Sequence, residues 1–156
     1  MQHLDEIPLA VDRRQMLIAA SVGLVASIVP FARATTSDQV DAAIRDLIGN
    51  VTPRDGGIAL QVPETAENGA VVPVTVVVDS PMTAEHYVRA IHLVATKNPV
   101  PGVASFRLSP ASGRAQVSTR IRLAETQTLL AFAQHSDGTM NRAVAEIKVS
   151  VGGYLT

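Results

Sequence analysis

The chain has 156 residues, of which 47% are hydrophobic and 17% charged, with a formal net charge of -1. That is room for one domain with a real core, and the near-neutral balance excludes nucleic acid or an anionic membrane as a general partner. The sequence contains no cysteine, which excludes a disulfide framework, a thiolate zinc site, an iron–sulfur cluster and a cysteine nucleophile.

The first segment reads as an address. Arg13 and Arg14 precede an uncharged apolar run over 16–30, and Ala32-Arg33-Ala34 then supplies a small-x-small cleavage site. The run of about 15 residues falls short of the roughly 20 a helix needs to cross a bilayer. A cleaved leader over 1–34 is expected, with no stable membrane insertion afterwards. The stretch "VDRRQMLIAA" also resembles a bacterial twin-arginine signal, which exports folded proteins. Asp12 and Met16 depart from that pattern, so an ordinary secretory leader with two basic residues stays open.

Over 35–50 the spacing predicts a short helix. Ser37 is a capping residue, Asp38 and Asp41 suit the positive end of the helix dipole, and Gly49-Asn50 ends it. Val40, Ala43, Ile44, Leu47 and Ile48 form one apolar stripe that must dock on something.

From 51 to 151 the period changes to two. "IALQV" opens the series, and "VPVTVVVDS" places Val74, Val76 and Val78 on one face with Thr75 and Asp79 on the other. In "HYVRAIHLVAT" the alternation puts Tyr87, Ile91 and Leu93 on one side and Val88, Ala90 and Val94 on the other. That is a central strand buried on both faces. "VASFRLS" and "RAQVSTRIRLA" flank the turn at 110–113 and read as a hairpin. In the second of these, Ala115, Val117, Thr119, Ile121 and Leu123 face in while Arg114, Gln116, Ser118, Arg120 and Arg122 face out. "TLLAFAQHS" and "MNRAVAEIKVSV" pair across Asp137-Gly138, and the last strand points Ala143, Ala145, Ile147, Val149 and Val151 inward. About seven short strands behind one helix predict an all-β, immunoglobulin-like antiparallel sandwich, with a small barrel as the other solution.

Few residues carry obvious chemistry. His86 and His92 are separated by about 20 Å of strand, too far to share a metal, and neither a metal site nor a cofactor is expected. Glu64, Glu67, Asp79 and Glu85 form no acid and base couple, and no serine sits in a nucleophile elbow. Arg107, Arg114, Arg120 and Arg122 are a candidate anion patch, although an exposed sheet face is polar in any case. The residues describe a binding or carrier domain rather than an enzyme.

The stretches "DSPMT", "YVRAIHLVAT", "NPVP", "SGRAQVSTRIRLA" and "SDG" closely resemble the SoxY family, the carrier subunit of the bacterial Sox system that oxidises thiosulfate. The likeness also takes in "AAIRDLIGNVTPRDGGIALQVPETAENGAVVPVTVVV". It implies an immunoglobulin-like sandwich exported to the periplasm and paired with a SoxZ subunit, with other periplasmic Sox enzymes as further partners. Members of the family end in Gly-Gly-Cys-Gly-Gly, whose cysteine holds sulfur intermediates on a swinging arm, because a thiol forms reversible sulfur bonds and glycines keep the arm narrow. Here the tail, 152–156, matches that arm only at Gly152 and Gly153. Tyr154 stands where the cysteine belongs and Leu155-Thr156 replaces the last glycines. A phenol cannot form persulfide-type bonds. The resemblance therefore implies a subunit that keeps the scaffold and the SoxZ-pairing surface but carries no substrate covalently. A true carrier whose cysteine arm is lost from this sequence, and a small-anion binding module, are the alternatives.

Overall fold

A computed structural model of the chain describes residues 36–154. The leader residues Arg13, Arg14, Ala32 and Ala34 lie outside them, as do Leu155 and Thr156.

The helix α1 runs Thr36–Ile48. Gly49 stops it in the left-handed conformation (φ 68°) and donates its N–H to Arg45 O at 2.8 Å, a local closure that glycine makes without strain. A helix of this length is marginal alone, so its stripe must be covered. Val40 and Ile48 are buried against Val94, Phe132 and Met140, with Ile44, Leu47 and Leu130 around them. The predicted docking surface is thus the outer face of a sheet.

Among the described residues nine strands follow: β1 Arg54–Asp55, β2 Ile58–Gln61, β3 Thr65–Asn68, β4 Val72–Val78, β5 Val88–Ala95, β6 Gly102–Arg107, β7 Gln116–Ile121, β8 Gln127–His135 and β9 Met140–Val151. They form two sheets, one ordered β1-β9-β8-β5-β6 with β3 added to β9, the other β2-β4-β7. The architecture is a mostly antiparallel β-sandwich with one short helix, as expected. Val72, Val74, Val76 and Val78 of β4 face Ile91, Leu93, Leu129, Ala131 and Ile147 across the core. Each such valine stabilises the fold by about 1.5–3 kcal/mol before conformational entropy is counted.

β5 and β8 are buried on both faces, one against the core and one toward α1. This explains their apolar sequences. Hairpin β8–β9 forms as predicted, with Gln134 opposite Met140. Gly138 has φ 85° in its turn and donates to His135 O.

Four details differ from the sequence reading. The segments flanking 110–113 do not pair. β6 pairs with β5 and β7 with β4, in different sheets, and the turn Pro110–Ser112 carries the chain from one sheet to the other. A proline-glycine turn reverses the chain equally well at such a corner. Strand count rises to nine because β1 and β3 are short and polar, and both pair in parallel with β9. Val88 joins the core with Ile91 and Leu93 rather than opposing them, because the β5–β8 register shifts between Val88 and Ala90. Such a bulge turns one extra residue out of the alternation. On β9, Val151 is 64% exposed, since the strand runs past the end of the core. Val144, on the face opposite Ile147, is exposed in step with the alternation.

Candidate functional site

Where the carrier arm would leave the sandwich, three stretches of main chain meet. Gly69 donates its N–H to Val151 O at 2.7 Å, Leu123 donates to Gly69 O at 2.8 Å, and Gly153 donates to Leu123 O at 2.8 Å. The last residues of β9 are thereby tied between the β3–β4 turn and the chain that follows β7. Backbones come this close only where no side chain intervenes. A Cβ on Gly69 would lie 2.8 Å from Gly153 N and overlap Leu123 O. One on Gly153 would lie 2.6 Å from Ala70 N and overlap Gly69 O, and one on Gly152 would overlap Ala124 O. Gly152 and Gly153, read from the sequence as the first residues of a flexible arm, are fixed parts of this knot.

A buried amide pair holds the 122–124 segment in place. Asn98, 2% exposed, donates from Nδ2 to Arg122 O at 2.8 Å, and its Oδ1 accepts from Ala124 N–H at 3.0 Å. Gln127, also buried, donates from Nε2 to the same Oδ1 at 2.9 Å and accepts Lys97 N–H at 2.7 Å through Oε1. Each of these polar groups finds a partner, as burial demands. Gly69, Asn98 and Gln127 were not singled out by sequence reasoning. The "NPVP" stretch contained the asparagine, but only the fold shows what it grips.

Tyr154, where the resemblance would put the family's cysteine, follows the knot at 40% exposure and is the first residue beyond the clamp. No described residue offers a substitute thiol, since the sequence has none.

The four arginines of the candidate anion patch are divided between the sheets. Arg107 ends β6 in the larger sheet, whereas Arg120 lies on β7 and Arg114 and Arg122 flank it. Three of them border separate cavities: Arg107 with Arg89 and His92, Arg114 with Asp79 and Ser80, Arg120 with Thr75 and Ser118. Arg114, Arg120 and Arg122 are all exposed and keep the outward alternation that grouped them; Arg107 is the one that lies on the other sheet. The cavity at Arg107 gathers another arginine that the sequence reading left out, Arg89.

Among the histidines, His92 Nδ1 lies 2.8 Å from Ser105 Oγ, and His135 Nε2 lies 2.7 Å from Asn141 Oδ1. Partial burial, helped by the positive charge of Arg107, holds the His92 imidazole below its ordinary value. Among the described residues no three His, Asp or Glu side chains come together as a metal site.

The described residues thus form a two-sheet β-sandwich with one covering helix and a glycine-tied C-terminus. The family model for sulfur oxidation protein SoxY matches residues 44–153. The solved structure of the sulfur carrier protein SoxY from Chlorobium limicola f thiosulfatophilum is 35% identical, covering 74% of this chain and 99% of its own, with a TM-score of 0.62. The chain belongs to the SoxY family. More distant likenesses share the fold alone. A superoxide reductase (neelaredoxin) from Ignicoccus hospitalis is 22% identical over 60% of this chain and 80% of its own (TM-score 0.54). One from Nanoarchaeum equitans is 10% identical over 62% and 98% (TM-score 0.51). No curated protein matches the sequence.

Proposed function

We propose that this protein is a non-catalytic SoxY-family subunit of the periplasm that pairs with a SoxZ-like subunit and acts as a scaffold or adaptor, without carrying sulfur covalently. One observation carries the reading: the main-chain knot holds Gly152 and Gly153 against Gly69 and Leu123, and the next residue is Tyr154 in a chain without cysteine. A phenol beyond a fixed root has neither the chemistry nor the loose glycine hinge for shuttling sulfur. What remains is the sandwich itself, whose family membership supports pairing within a Sox assembly. The segment 1–34, with Arg13-Arg14 and Ala32-Arg33-Ala34, supports export.

Co-expression with a SoxZ-like subunit from the same genome tests the pairing. A one-to-one complex that survives gel filtration is expected, and Tyr154→Ala leaves it intact, because that residue lies outside the sandwich core. Two separate species at micromolar concentration would overturn the adaptor reading.

A further inference from the structure

The cavity at Arg107 lies on the α1-facing side of the larger sheet and has a volume of about 360 Å³. Its construction follows from the bulge in β5. Val88 and Ile91 point into the core, so the two residues between them both turn outward. Arg89 is exposed, and Ala90 sits between Arg107 of β6 and Gln134 of β8. The small Ala90 makes a floor between longer side chains. Leu108 donates its N–H to Arg89 O at 2.9 Å, which holds the bulge against the end of β6 and keeps Arg89 beside Arg107. Leu47 of α1, Tyr87 and His92 complete the lining.

The charges here are one-sided. No carboxylate lines the cavity, and among the described residues the ion pairs are Lys97 with Glu125 and Arg142 with Asp55. Neither Arg89 nor Arg107 has a carboxylate partner among the described residues. Guanidinium groups offer planar, paired donors matched to oxyanions. His92 adds a neutral donor: when Ser105 donates its hydroxyl to Nδ1, the ring proton sits on Nε2. Two strong cationic donors with imidazole and phenol groups around them suit a ligand smaller than a peptide and rich in oxygen.

We propose that this groove binds a small divalent oxyanion of the sulfate or thiosulfate type, held non-covalently by Arg89 and Arg107 with His92 as a further donor. The site lies on side chains of β5 and β6 and owes nothing to the tail. It stands whether or not the protein pairs with SoxZ.

Calorimetric titration of the purified protein with sodium thiosulfate and, separately, sodium sulfate at low ionic strength tests it, since screening weakens such contacts. Saturable one-site binding with a Kd of about 1 mM or tighter is expected, and His92 ring signals identified through His92→Gln should shift on addition. Arg89→Gln and Arg107→Gln should each weaken binding about tenfold or more, as loss of a charged hydrogen bond does. Arg120→Gln, at a separate cavity on the other sheet, should leave it unchanged. All three arginines are exposed, so the variants fold, and a thermal melt confirms it. No saturation by about 50 mM, a range far weaker than the millimolar binding expected, would overturn the proposal. So would equal weakening by Arg120→Gln.

Discussion

The knot at Gly69, Leu123 and Gly153 and the groove at Arg89 and Arg107 are built from different material. In the knot, main chain meets main chain and every contact depends on a side chain being absent. In the groove, the backbone supplies a frame and exposed side chains supply the chemistry. The lesson concerns what each can lose. A substitution in the knot should cost stability and leave groove chemistry alone, whereas a substitution in the groove should cost binding and little stability. The same distinction separates a tail that is held from a tail that swings.

The sharpest break is steric. Gly153→Val and Gly69→Ala push atoms into neighbouring backbone and should each destabilise the protein by about 3 kcal/mol, seen in urea unfolding. Gly102→Ala is the control, since its added carbon meets only Leu47 Cδ1 at 3.8 Å. Removing one glycine's freedom in the unfolded chain should then stabilise by about 0.4–1 kcal/mol. If all three variants behave alike, the knot is not what distinguishes the tail.

Next comes the pin beneath the knot. Asn98→Ala strands Arg122 O and Ala124 N–H and leaves Gln127 Nε2 with only Glu125 O as acceptor, and should cost about 2 kcal/mol. Faster amide exchange at Leu123 and Gly153 should accompany it, because their bonds rely on that segment. Unchanged exchange there would show that Asn98 supports only its own loop.

Much of this division escapes the sequence for definite reasons. Alternation revealed β4 and the β8–β9 hairpin because one face of each strand must be apolar. It concealed Arg89, since a bulge shifts the period by one residue without leaving a compositional mark. β3, "TAEN", has one buried residue, and its parallel partner lies far along the chain. Glycine itself is ambiguous: at 152–153 its flexibility and its small size predict opposite behaviours, and the deciding residue, Gly69, is more than eighty positions away. The SoxY resemblance was legible throughout because it rests on many residues at once.

Smaller effects follow from titration. His92 is held below its ordinary value of 6.5 in the fold, so the unfolded chain binds more protons between that folded value and 6.5. Its contribution to stability is present above about pH 6.5 and is lost as pH falls through the window. His92→Gln should flatten this slope in melts taken from pH 7.5 to 5.5, and a slope that persists would assign it to another group. Smaller again is the exposed pair of Arg142 Nη2 and Asp55 Oδ1, 2.7 Å apart, which fastens β1 to β9. The bond from Arg142 holds the Asp55 carboxyl below its usual 3.8. That contribution is present above 3.8 and lost as pH falls through the folded value, so Arg142→Gln should remove a little stability above pH 3.8 and flatten the slope below it. Tyr154→Cys, beyond the knot, should change stability by less than about 0.5 kcal/mol.

The most direct test of an adaptor without covalent cargo is the intact mass of the native protein, isolated from the periplasm with any bound partner after growth on thiosulfate. The account predicts a chain beginning at Thr35, with Tyr154 in place and no sulfur adduct that a reductant removes. A cysteine-bearing form whose mass falls on reduction would contradict it and make this protein a sulfur carrier of the ordinary kind.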